Sequence, residues 1–308
     1  MKKAASFIEV AFLYGSPSTI PPKFDSMLLK LGSTVLSLFL FLSLSYGQKM
    51  NPPSDIKQAD FKLGKVLSFQ SSILQEERHL NVYLPAGYEA NDTLTYPVVY
   101  LLDGSADEDF IHIVGLLQFA NFPWVELFPP SIVVGIANVD RKRDFTYPTN
   151  NAKDKEDFPT TGGSAAFIQC LKEEIQVLID QTYRTNSKRT LIGQSLGGLL
   201  ATEILFKAPE LFTHYMIISP SLWWDDQSLL SYAPKFLSPA YEQQTHVFVA
   251  VGKEGEIMES TAKALANKLQ SAEHKAIQSW FHYMGDQGHA NILHLAIYKA
   301  MELMKSTY

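Results

Sequence analysis

The sequence predicts an α/β domain with a mostly parallel central sheet, helices on both faces and an antiparallel edge at its N-terminal side. Two observations carry this. Short apolar segments of strand length alternate with longer segments of helical spacing, and a glycine-rich turn, Gly193-Gln194-Ser195-Leu196-Gly197-Gly198, joins one of the strands directly to a helix. Beyond Gln48 there is no repeat, low-complexity run or linker to divide the domain.

The elements follow in order. His79 to Leu84 alternates as a half-buried strand does, and the first strands, joined by short turns, form the antiparallel edge. Val98 to Leu102 and Ile132 to Ile136 are continuous apolar runs, the pattern of strands buried on both faces. Phe167, Leu171, Ile175 and Leu178 mark one face of a long helix ending near Tyr183. Arg189 to Ile192 enters the glycine-rich turn as a strand, and Leu199 to Phe206 leaves it as a helix closed by Pro209. Tyr215 to Ile218, His246 to Val251 and Trp280 to Met284 read as later strands. Helices cover Ala262 to Leu269 and about Ala290 to Met304.

The first 47 residues differ in kind. Met27 starts a pattern with Lys30, an apolar stretch from Leu36 to Leu44, and Ser45-Tyr46-Gly47 as a small-x-small cleavage site. Residues 27–47 are therefore expected to be a signal peptide, and residues 1–26 upstream sequence from a mis-assigned start. Residues 48–308 form the single mature domain, exported to the periplasm or secreted. The apolar stretch is short for a membrane span of about 20 residues, so no stable anchor is expected after cleavage.

The full chain of 308 residues carries a net charge of −6. There is thus no basic footprint for nucleic acid. Hydrophobic residues at 46% and aromatics at 12% supply enough apolar surface for a large core, which excludes a disordered body. Cys170 is the only cysteine, so no intramolecular disulfide forms; within an amphipathic helix it reads as a buried, inert thiol. No His-x-x-x-His pair and no phosphate-binding loop is present, so no metal or other cofactor is implied.

A serine on a strand-to-helix turn is forced into strained backbone angles, and glycines two before and two after it make room for the turn. Such a turn raises the Ser195 hydroxyl above the sheet. A serine hydroxyl needs a base, a group to orient the base, and donors for the oxyanion. On this topology the order along the chain is serine, acid, histidine. Among the histidines after Val251, His289 alone occupies a loop between the last strand and the last helix, flanked by Gly285 and Gly288, and is the expected base. The acid falls in Gly252-Lys253-Glu254-Gly255-Glu256: Glu254 is preferred and Glu256 is the alternative. The Leu196 N–H is the first oxyanion donor. The second comes from Gly104 to Ala106, with Ser105 the choice.

With these residues in place the chain resembles the putative-esterase family of α/β-hydrolases, which includes enterochelin and bacillibactin esterases, S-formylglutathione hydrolase and feruloyl esterases. Tyr83-Leu84-Pro85-Ala86-Gly87-Tyr88 and Tyr96 to Gly104 are similar to its early segments, and Arg184, Arg189 and the Ser195 turn to its nucleophile region. Ser219-Pro220-Ser221-Leu222-Trp223-Trp224 and Asn138 to Thr146 resemble the siderophore-esterase branch. The resemblance implies an α/β-hydrolase fold, Ser195 as nucleophile and His289 as base. The family's usual acid position is Gly255 here, and some of the branch work with a Ser–His pair alone. Trp223 and Trp224 are expected to line an aromatic pocket, and Arg141 or Arg143 to pair with a substrate anion such as a catecholate.

The function expected is thus a serine carboxylic-ester hydrolase acting on a small-molecule ester, such as a siderophore trilactone or another aryl or sugar ester. An acyltransferase of the same fold would use the same residues. A non-catalytic siderophore- or carbohydrate-binding module is the alternative of a different class.

Overall fold

The structure is a computed structural model that describes residues 55–88 and 93–308. The chain divides into two units, Met1–Phe61 and Lys62–Tyr308. Of the first, only residues 55–61 are described, and they carry no helix or strand. The expected signal segment 27–47 and the upstream residues 1–26 lie outside the described residues.

The second unit is built on one eight-stranded sheet. Its strands are β1 (Lys65–Gln70), β2 (Glu77–Tyr83), β3 (Tyr96–Leu101), β4 (Ile132–Ile136), β5 (Thr185–Gln194), β6 (His214–Ile218), β7 (Thr245–Gly252) and β8 (Ile277–Met284). Their spatial order is β1-β2-β4-β3-β5-β6-β7-β8. β1 pairs with β2 and β2 with β4 antiparallel, and every later pairing is parallel, with Val99 opposite Val133 and Thr190 in the two ladders of β3. This is the mostly parallel sheet expected from the sequence, with its antiparallel edge at the N-terminal side.

The continuous apolar strands are explained by two cores, one on each face. In β3, Val98 and Tyr100 join one core while Val99 and Leu101 join the other. In β7, Val247, Val249 and Val251 face the first core and Phe248 and Ala250 the second. A strand covered on both faces has no solvent side to keep polar, so alternation disappears from its sequence. The first core is closed by α4 (Ser164–Cys170), α5 (Gln176–Thr182), α6 (Leu196–Lys207) and α8 (Glu256–Ser271). The second is closed by α1 (Phe110–Ala120) and α9 (Ile292–Met304). A π-helical turn, Leu171–Ile175, joins α4 to α5, so the single long helix expected there has one widened turn. Cys170 is fully buried among these side chains, and burial pushes its thiol up to about 12, consistent with an inert group.

Three short helices complete the unit: α2 (Arg141–Phe145), α3 (Ala152–Asp157) and α7 (Trp224–Ser231). The chain leaves β3 toward β4 on one side and returns to β5 on the other. The crevice at the carboxyl ends of β3 and β5 is therefore the topological switch point, where sheets of this kind place their sites.

Candidate active site

Ser195 sits between the end of β5 and the first residue of α6 with φ 59° and ψ −120°. A non-glycine residue at positive φ is strained, and the surrounding bonds hold it there. Its N–H donates to Ile218 O at 3.1 Å, and its carbonyl accepts from Leu199 N and Ser221 N, each at 3.0 Å. Gly193 and Gly198 are steric requirements, whereas Gly197, two after the serine, is not: a Cβ there would meet its nearest atoms at 3.4 Å. A Cβ on Gly193 would lie 2.4 Å from Gly197 O, and one on Gly198 would lie 2.9 Å from Pro220 Cα. The turn thus closes only with glycine at both positions, which is why the letters around Ser195 predicted its geometry.

His289 lies in the loop between β8 and α9, as expected. Its Nδ1 donates to Glu254 Oε2 at 2.5 Å, leaving Nε2 as the free ring nitrogen. Glu254 follows β7. Its Oε1 accepts from Ser219 Oγ at 2.5 Å and from the Gly252 N–H at 2.9 Å. Burial pushes the Glu254 carboxyl up, but the hydrogen bonds from His289, Ser219 and Gly252 outweigh it and hold the group below the usual carboxylate value. The loop is fixed from both sides: Lys253 N donates to Gln287 O at 2.7 Å, and Gln194 Nε2 to His289 O at 2.5 Å.

The two candidate carboxylates, Glu254 and Glu256, are placed differently. Gly255 has φ 90°, which turns the chain so that Glu254 points back to the histidine while Glu256 opens α8. Glu256 instead lines a cavity of about 520 Å³ with Glu259, Lys263 and Tyr283, one that contains neither Ser195 nor His289.

Ser195 and His289 together line two cavities. One, of about 330 Å³, adds Ser221, Trp223, Glu254 and Met258. The other, of about 430 Å³, is flanked by Asp103, Glu108, Asp109, Arg141 and His294. The Ser195 hydroxyl faces Ser221 Oγ at 3.4 Å. No hydrogen bond joins Ser195 Oγ to the His289 ring among the described residues.

Of the two expected oxyanion donors, Leu196 is the first residue of α6, whose leading N–H groups have no partner within the helix. The Ser105 N–H already donates to Glu108 Oε2 at 3.2 Å. Gly104 was expected to let the backbone approach a substrate, but the close approach it permits is to β4. A Cβ there would lie 2.4 Å from Gly135 Cα, and the Gly104 N–H bonds Ile136 O at 3.0 Å.

Two expected pocket residues fall elsewhere. Trp224 is fully buried in the first core, its Nε1 donating to Tyr147 O at 2.9 Å, so of the tryptophan pair only Trp223 reaches the site. Arg143 pairs with Glu76 and Asp144, beside the buried Arg78–Asp144 pair, and ties β2 to α2 rather than facing Ser195. Arg141 does line the larger cavity. However, its Nε and Nη2 are spent on the two oxygens of Asp103 at 2.6 and 2.8 Å, and Asn138 Nδ2 adds a third bond to Asp103 at 2.7 Å.

Several site residues were not expected from the sequence. Ser219 and Ser221 stood inside the Ser219-to-Trp224 segment that carried the branch resemblance, and that segment was the available signal. Asp103 adjoined the expected oxyanion loop. His294, in the first turn of α9 rather than in a loop, stands beside the cavity with its Nε2 at 3.2 Å from Asp109 Oδ1. Nothing in the local sequence marks Met258 or Glu108.

Comparison with known proteins places this geometry in context. Residues 71–291 match the family described as Putative esterase. The chain is 26% identical to the ferri-bacillibactin esterase BesA of Bacillus subtilis over 245 residues, covering 73% of this chain and 84% of that protein. An IroE-like serine hydrolase from Shewanella oneidensis superposes with a TM-score of 0.71 at 28% identity, over 79% of this chain and 80% of that one. The BES protein from Bacillus cereus gives 0.70 at 27% identity, over 82% and 98%. The matched region runs from the residue after β1 to the residue before α9 and so contains Ser195, Glu254 and His289 together. By fold, by the strained serine turn and by this match, the chain belongs to the putative esterase family, in the enterochelin- and bacillibactin-esterase-like branch of the α/β-hydrolases, and is an ester hydrolase.

Proposed function

We propose that this ester hydrolase works by nucleophilic catalysis through an acyl-enzyme, with Ser195, His289 and Glu254 as its catalytic residues. One observation carries the reading: a serine held at φ 59° shares its cavity with an imidazole whose far nitrogen is bound to a buried carboxylate. Ser195 Oγ attacks the ester carbonyl while His289 Nε2 takes the hydroxyl proton. Glu254 holds the ring through Nδ1–H and stabilises the imidazolium that forms. The oxyanion is received by the Leu196 N–H and by the Ser105 N–H, which exchanges the Glu108 carboxylate for it. The proton then passes from His289 to the leaving alcohol. A water, deprotonated by the same nitrogen, attacks the acyl-enzyme and releases the carboxylic acid and free Ser195.

The relatives' names direct the search for a substrate toward siderophore esters, and Trp223 beside Ser195 supports an ester with an aryl or apolar half.

The test is hydrolysis of p-nitrophenyl acetate and butyrate by the wild-type chain, with Ser195→Ala and His289→Ala alongside. Each substitution is expected to lower kcat by on the order of 10⁶, and a fluorophosphonate probe is expected to label Ser195. Turnover that survives Ser195→Ala refutes the mechanism.

A further inference from the structure

The two cavities that meet at Ser195 and His289 differ in chemistry, and the difference bears on which esters fit. The smaller presents Trp223 and Met258. The larger presents three carboxylates, Asp103, Glu108 and Asp109, against one guanidinium, Arg141. That guanidinium is bound at two points by Asp103, so the two charges cancel within the wall. Glu108 accepts only from neutral donors, Asn138 Nδ2 at 3.2 Å and the Ser105 N–H at 3.2 Å. Asp109 faces His294, whose ring stacks on His112 with centroids 3.4 Å apart. Burial and the neighbouring His112 hold the His294 imidazole below its usual value, so it supplies no compensating cation near neutral pH. Asp109 thus has the His294 ring as its partner, whereas Glu108 is bonded only to neutral donors among the described residues, which makes Glu108 the carboxylate of this wall without an ionisable hydrogen-bond partner. A net negative wall of this kind stands within the cavity of the reacting serine.

We propose that this carboxylate wall, with Glu108 as its main specificity determinant, selects esters by charge. It takes a cationic or neutral polar group beside the scissile bond and turns away anionic ones, while the apolar half of the ester lies against Trp223 and Met258. This rests on the hydrolase reading above and narrows it. A ferric tris-catecholate bears three negative charges, and Arg141, the cation expected to receive it, is already committed to Asp103. An iron-free or non-catecholate ester suits the cavity better. The physical basis is field focusing: charges of one sign lining a cleft raise the local concentration of the opposite sign and lower that of the same sign.

The test uses the full chain with three acetate esters of similar size: choline (cationic), 3,3-dimethylbutanol (neutral) and 3-hydroxypropanesulfonate (anionic). Release of acid is followed at low salt and at 0.5 M salt. The expected order of kcat/KM is cation, neutral, anion, spanning on the order of 10–10² at low salt and contracting at high salt. Glu108→Gln, and separately Asp109→Asn, should contract the span at low salt, Glu108→Gln more. A flat or reversed order in the wild type overturns the charge selection, as does a span that neither variant nor salt changes. The hydrolase reading fails separately, if turnover of the neutral ester survives Ser195→Ala.

Discussion

The Glu254 carboxylate is shared between His289, the proposed base, and the frame that holds it. Burial alone would raise its pKa, yet three donors keep it below the ordinary carboxylate value. A carboxyl with a depressed folded pKa stays ionised at neutral pH and contributes stability above its unfolded pKa. That contribution is lost only as pH falls through the lowered folded value. Glu254→Gln preserves shape but puts a neutral amide opposite Nδ1, so that the ring is no longer fixed in one tautomer and its charged form is no longer paired. The expected loss is about 10³–10⁴ in kcat, with KM little changed. Glu256→Gln, in a separate cavity, should stay within about twofold of wild type. Steady-state kinetics on one p-nitrophenyl ester check both, and equal effects from the two variants would refute the assignment of Glu254. The strained turn at Ser195 and the loop position of His289 were legible in the sequence because turn chemistry and chain order confine each to one place. Glu254 was preferred with Glu256 left open, because two carboxylates straddle Gly255 and only its backbone angle decides which turns toward His289. Arg143 and Trp224 misled for a related reason. Residue type announces a charge or an aromatic ring, but the partner that consumes it, Glu76 or Tyr147, lies 67 or 77 residues away.

At the scale of elements, the start of α7 separates a binding role from a packing role within two adjacent side chains. Trp224 is fully buried and meets Phe158 edge-on at 5.4 Å, while Trp223 is only partly buried and reaches Ser195's smaller cavity. Immediately after them, Asp225, Asp226 and Gln227 all have positive φ, a left-handed turn. Hydrogen bonds from Thr149, Asn150 and Asn151 to Asp225 and Asp226 hold this turn in place. Trp224→Ala should therefore lower stability by about 3–5 kcal/mol, the range for emptying a large aromatic site in a core. Trp223→Ala should cost far less stability and instead lower kcat/KM for aryl or long-chain esters relative to acetate. Urea unfolding and a pair of ester substrates separate the two, and an equal loss of both esters in Trp223→Ala would remove it from the substrate pocket. The left-handed turn had no signal in the sequence, since none of its three residues is glycine. Helix α1 was also unforeseen: Phe110 to Ala120 is apolar nearly throughout, and without a polar face its helical period does not show. The strands were read well because burial on both faces leaves an unbroken apolar run bounded by turn residues, which few other structures produce.

For the molecule as a whole, the perturbed histidines and most perturbed carboxylates act in one direction with pH, and Asp109, raised by burial, is the carboxyl that opposes them. Burial, the neighbouring His246 and Lys188 lower His214 from 6.5 to about 3, and burial likewise lowers His246 and His294. These rings stay neutral in the fold while the unfolded chain takes up protons below about 6.5, so each favours unfolding as pH falls from that value toward its lowered folded pKa. The carboxylates extend the same trend downward. Hydrogen bonds from Ser71 and Ser72 overcome burial and hold Glu174 down to about 2, while Glu76, Asp225 and Glu254 are depressed by their own partners. Each contributes stability above its unfolded pKa and loses it as pH drops through the folded one. In both sets the unfolded state binds more protons, so stability rises with pH across the whole interval. Urea midpoints measured at pH 7.5, 5.5 and 3.5 should accordingly fall at every step, the first decrease coming from the histidines and the second from both sets. The total loss should be on the order of several kcal/mol. A His214→Asn variant, which keeps a smaller hydrogen-bonding group but no proton to bind near neutrality, should show a smaller decrease between pH 7.5 and 5.5 than wild type. An unchanged midpoint over that first step would mean that the buried histidines titrate as they do in water, and the packing that strips His214 of solvent would have to be reconsidered.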